Sequence, residues 1–130
     1  MKSACFYLGL ALLFTHELDS MPNHEWRVLP VLRSLSDSAG ETAFIIAHVP
    51  VFALTIAYVA SLNLRTRRLA RDVGSGFFIV HAILHALFSG HPDYEFSSLL
   101  SSTLIYGAAF CGAACFFLPA DQPKVADHDQ

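Results

Sequence analysis

Residues 42–62 read TAFIIAHVPVFALTIAYVASL, twenty-one residues without a single Lys, Arg, Asp or Glu. A helix crossing a bilayer needs about 17–25 predominantly apolar residues. Residues 96–118, FSSLLSSTLIYGAAFCGAACFFL, meet the same requirement. Two shorter apolar blocks, ACFYLGLALLFT at 4–15 and VGSGFFIVHAILHAL at 73–87, reach spanning length only with their polar ends included. The pattern predicts an all-α protein, a four-helix transmembrane bundle with spans at about 3–18, 42–62, 73–89 and 96–118. The membrane domain then covers residues 1–119, and 120–130 form a solvated, disordered tail.

Composition agrees with that reading. Of 130 residues, 54% are hydrophobic and only 15% are charged; mean hydropathy is +0.46. A soluble domain carries about 25% charged residues, so this chain has too little charge to coat a globule. Block one follows Lys2 as the core of a signal peptide would, but THELDS comes next in place of a small-residue cleavage site. A retained helix is therefore expected. The net charge of -3 offers no basic surface for nucleic acid. Cys5, Cys111 and Cys115 all lie in apolar blocks, an arrangement that gives no disulfide framework and reads as packing.

Orientation follows from the cations. Of eight Lys and Arg, four (Arg65, Arg67, Arg68 and Arg71) fall between blocks two and three. The excess of Lys and Arg in cytoplasmic loops places that segment inside, with both termini cytoplasmic as well. The membrane expected is the bacterial cytoplasmic (inner) membrane.

Alternation of the spans then gathers six of the seven histidines at the outer side. His16 closes block one, and His24 follows in the first outer loop. His48 lies about 9 Å below the outer end of block two at 1.5 Å per residue. His81 and His85 occupy the outer half of block three, and His91 the second outer loop. The four-residue spacing of His81 and His85 puts both on one helix face. Ionisable groups at such depth are costly and mark functional sites.

The chemistry this pattern suggests is a divalent metal site, since imidazole and carboxylate suit zinc, iron or copper. The expected ligands are His16, Glu17, His48, His81 and His85. Asp19, His24, Glu25 and His91 are expected to orient ligands or line the outer rim. Glu17 and Glu25 are the candidate catalytic carboxylates. The motif H-E-x-x-H fails twice, because Ser20 and Val28 stand where the second histidine belongs. The H-x-x-x-H spacing of His81 and His85 resembles membrane desaturases and hydroxylases, whose further histidine boxes are missing here.

The stretch HELDSMPNHEWRVLP, residues 16–30, resembles the signature of an uncharacterised family of small bacterial integral membrane proteins. That signature runs His-Glu-x-Asp-Ala, then (His/Lys)-Glu-Trp-(Arg/Lys), then Leu-Pro. Here it falls on His16, Glu17, Asp19, Glu25, Trp26, Arg27, Leu29 and Pro30, with Ser20 replacing the alanine. The resemblance implies the architecture and the importance of the first outer segment, and supplies no reaction.

Three functions compete. One is a metal-binding protein or metal-dependent enzyme acting on a lipid-soluble or periplasmic small molecule. A second is a proton or ion relay, against which the inner half of the bundle offers almost no ionisable residues to continue a path. The third is an accessory membrane subunit, with Ala108, Gly112 and Ala113 as a packing face for a partner helix. Membrane lipid is a partner in all three.

Overall fold

The computed structural model describes residues 1–119; the expected tail at 120–130, with His128, lies outside the described residues. Four helices form: α1 (Lys2–Ser20), α2 (Asp37–Val59), α3 (Leu64–Phe88) and α4 (Leu99–Phe117). No strand occurs among the described residues. Two short 3-10 turns, Glu25–Arg27 and Leu32–Ser34, shape the connection between α1 and α2.

The helix boundaries differ from the apolar blocks where caps decide them. α3 begins nine residues before Val73, because the Asn63 side chain accepts hydrogen bonds from the backbone N–H groups of Arg65 and Thr66. Such a cap satisfies donors that a helix start leaves open. The arginine segment is thus the first two turns of a helix and not a loop. α4 begins at a second cap, where Ser98 Oγ accepts from the Ser101 N–H. Pro50 sits inside α2 and removes one intrahelical donor.

α4 packs along both α1 and α3, while α2 stands apart and rests on α3 and the two 3-10 turns. Side chains bridge α2 to α1: the Phe14 and Phe52 rings lie 4.5 Å apart, and Glu17 reaches His48. The core between α1, α3 and α4 is built on Phe6 and Phe78, stacked at 5.7 Å and both 1% exposed. Two glycines permit this approach. A Cβ on Gly112 would meet the Ser75 carbonyl oxygen at 2.5 Å, and one on Gly9 would meet Phe78 and Cys111 within 2.9 Å. Ala108 and Gly112 are therefore occupied inside the chain, and Ala113 is half-buried beside them.

At the cationic end, Lys2 pairs with Asp72 at 3.2 Å, and Arg71 donates to Ser3 Oγ and Tyr7 Oη. Along the helices much of the surface is apolar. Val49, Phe110 and Phe117 are 68%, 75% and 89% exposed. Large contiguous apolar surfaces of this kind are rare on soluble monomers. Two helices, α2 and α4, are long and apolar enough to cross a membrane.

The Gly112 contact gives a direct test. Gly112→Val should separate α3 from α4 and destabilise the fold by about 1–3 kcal/mol, the usual cost of overpacking. Thermal unfolding in detergent checks it, with Gly76→Ala as the control. Nothing stands within 4 Å of a Cβ at Gly76, so that variant should unfold like the parent.

Candidate metal centre

Three imidazoles meet where α1 ends and α3 approaches its own end. His16 is 0%, His81 8% and His85 5% exposed. Their ring centroids form a nearly equilateral triangle of 4.9, 4.7 and 4.7 Å. One nitrogen from each lies within 4.8 Å of the others, so the trio could hold a metal ion. Helical spacing explains His81 and His85, and α1 places His16 against both.

A carboxylate closes the group from an unexpected direction. Glu25, expected at the rim, is buried with its Oε2 3.6 Å from His16 Nε2 and its Oε1 3.6 Å from His85 Nε2. The chain delivers it through a sequence of local contacts. Ser20 Oγ donates to the Glu17 carbonyl and Asn23 Nδ2 to the Asp19 carbonyl, ending α1. His24 then turns the backbone with φ 48° and ψ 45°, and its Nδ1 lies 2.9 Å from Glu95 Oε2. Few non-glycine residues adopt that left-handed conformation. Immediately after Glu25, Trp26 Nε1 and Arg27 Nε both donate to Asp37 Oδ1, and Arg27 Nη2 donates to Asp37 Oδ2. The turn is thereby pinned to the start of α2, with Glu25 directed inward. Burial pushes the Glu25 carboxyl up, but the facing His16 and His85 imidazoles lower it further, to about 2, so it stays ionised.

Several of these atoms lack partners. Among the described residues, both His16 nitrogens, His81 Nε2 and Glu25 Oε2 are enclosed and make no hydrogen bond. Separations of 3.6 Å are too long for one. Each buried unpaired polar group costs about 1–3 kcal/mol, so gathering them here is unfavourable unless a shared cation takes one nitrogen from each imidazole and an oxygen from Glu25. Three imidazoles and a carboxylate match the donor set of zinc, iron or copper.

Support comes from residues that the spacing of histidines does not point to. Tyr94 places its Oη 3.2 Å from His85 Nδ1. That hydroxyl can accept the Nδ1–H and leave Nε2 turned toward Glu25, the outer hydrogen bond that fixes a ligating imidazole. Phe96 packs its ring 5.2 Å from His16 and 4.9 Å from His85. A small cavity of about 50 Å³, bordered by Glu25, His81, His85 and Tyr94, adjoins the group. Its size suits one or a few water-sized molecules.

The remaining expected ligands lie elsewhere. His48 and Glu17 form their own pair, with Nε2 2.9 Å from Oε2, while His48 Nδ1 lies 2.7 Å from the Phe44 carbonyl. A carbonyl only accepts, so Nδ1 carries a proton, and both nitrogens of His48 are committed away from the triad. Asp19 Oδ2 is enclosed without a hydrogen bond among the described residues. His91 lies in the loop between α3 and α4: Nε2 faces Arg33 at 3.4 Å and Nδ1 accepts from the Asp93 N–H.

No curated protein and no solved structure matches this chain. Residues 2–121 match a family described as "Family of unknown function (DUF6713)", and over that length the chain belongs to it.

Proposed function

We propose that this protein is a four-span integral membrane protein that binds one divalent metal ion at an outward-facing centre. The ligands are His16, His81 and His85, with the Glu25 carboxylate as the fourth. The observation that carries this reading is the set of enclosed, unpartnered nitrogen and oxygen atoms that these residues turn toward one another. A first-row transition ion or zinc would take one nitrogen from each imidazole and an oxygen from Glu25, whereas calcium and magnesium prefer all-oxygen ligands. Tyr94 would orient His85, and the adjoining small cavity gives a bound ion room for water or a small exogenous ligand. A metal-dependent enzyme acting on a small molecule is the extension of this reading that the cavity favours.

Membrane insertion rests on the exposed apolar surface and on the placement of charge. α2 and α4 span by composition, and α1 and α3 cross beside them because both pack along α4. Arg65, Arg67, Arg68 and Arg71 mark the cytoplasmic side, and both termini share it. The bacterial inner membrane, with the metal centre toward its outer face, fits that charge pattern.

Elemental analysis of detergent-purified protein tests the metal reading. About one metal per chain is expected in the parent, with a loss of at least tenfold in occupancy in His81→Ala/His85→Ala. A helical, monodisperse parent with no metal after growth in zinc, iron and copper would exclude the centre. Topology is tested separately by labelling intact cells with a membrane-impermeant maleimide. Cysteine placed at Ser34 should react, and cysteine at Leu62, which is 95% exposed, only after lysis. The reverse pattern would invert the orientation.

A further inference from the structure

The loose seating of α2 leaves a groove of about 860 Å³ between α1, α2 and α3. Its walls are apolar over most of their length, with Leu10, Leu13, Val51, Phe52, Val73 and Phe77 among them. From His48 to Tyr58 along α2 the groove runs about 15 Å at 1.5 Å per residue. At its outer end the lining turns polar, at Glu17 and His48; Arg65 and Thr66 stand at the inner end. An occupant must therefore be apolar for most of its length and polar at one tip.

Hydrogen-bond accounting at Glu17 and His48 says what the tip must be. His48 Nδ1–H is donated to the Phe44 carbonyl, 2.7 Å away. The other imidazole nitrogen faces Glu17 Oε2 at 2.9 Å, and one proton lies between them. Whichever atom holds that proton, the pair carries no net charge and His48 has no donor left. Glu17 lines the groove with its side chain 13% exposed, and in both protonation arrangements its Oε1 is an acceptor. A ligand meeting this end must donate, and a neutral pair gives a cationic head no Coulombic advantage. A hydroxyl satisfies both conditions.

We infer that this groove binds a long-chain alcohol, its hydroxyl donating to Glu17 Oε1 and its alkyl tail lying along α2 and α3 toward the cytoplasmic side. The site is separate from the metal centre. Glu17 follows His16 in α1 but faces the groove, and Phe77 lines the groove with its ring 5.7 Å from that of His81. An ordinary acyl chain would fill the apolar length and make no hydrogen bond to Glu17 Oε1.

Photolabelling of the purified chain in detergent tests this, using hexadecanol that carries a diazirine in its tail. Adducts should map to residues 48–59 and 66–78. Unlabelled hexadecanol should compete about tenfold better than hexadecane, the advantage of one well-made hydrogen bond. Glu17→Ala should erase that tenfold preference while labelling by the tail and metal content persist. Val73→Trp, which fills the groove, should abolish labelling. Equal competition by hexadecane would overturn the inference and leave a lipid-filled crevice. Stronger competition by palmitate would overturn it in favour of anion capture at Arg65. Loss of labelling with dimerisation at high protein concentration would overturn it in favour of a second copy of the chain. Because competition is measured on the parent protein, the test survives a variant that fails to fold.

Discussion

Four polar side chains buried together, three of them with nitrogen or oxygen atoms that make no hydrogen bond among the described residues, are the constraint around which this small protein is organised. Placing His16, His81, His85 and Glu25 in mutual contact works against folding, since each would be better solvated in water. Chain and surroundings nevertheless hold them there. α4 clamps α1 and α3 side by side, Gly9 and Gly112 let the backbones close in, and Phe96 roofs two of the imidazoles. A cation at the centre would turn the cost into coordination energy and make binding part of folding. Two nearby devices then follow: Tyr94 orients His85, and the Trp26/Arg27 grip on Asp37 holds Glu25 inward.

The end of the molecule that holds the triad accordingly carries two kinds of histidine. Three turn toward one another, and two of these, His16 and His85, also face Glu25. His24, His48 and His91 are satisfied by Glu95, Glu17 with the Phe44 carbonyl, and Arg33 with the Asp93 N–H. The second group braces the scaffold and the groove, and the first could hold a metal ion. Glu17 and Glu25 divide in the same way, one facing the apolar groove and the other the imidazoles.

Much of this was legible from residue order. The i,i+4 spacing of His81 and His85 survives directly on α3, and alternating helices bring His16 to the same level. Depth along the helices was readable because it needs only a count of residues. Rotation about a helix axis was not. α2 is apolar on every side, so nothing in its sequence says that His48 turns toward Glu17 and away from the triad. Glu25 was illegible for another reason: its position depends on a left-handed residue at His24 and on hydrogen bonds to Asp37, ten or more residues away. The start of α3 was hidden by charge, because an arginine run reads as a loop until Asn63 is recognised as its cap.

X-ray absorption at the edge of whatever metal the purified full chain binds tests the central claim most directly. The account predicts a shell of nitrogen and oxygen only, with about three imidazoles, at about 2.0–2.1 Å if the ion is zinc. Sulfur scattering near 2.3 Å would place the metal at Cys5, Cys111 and Cys115 and contradict the histidine centre.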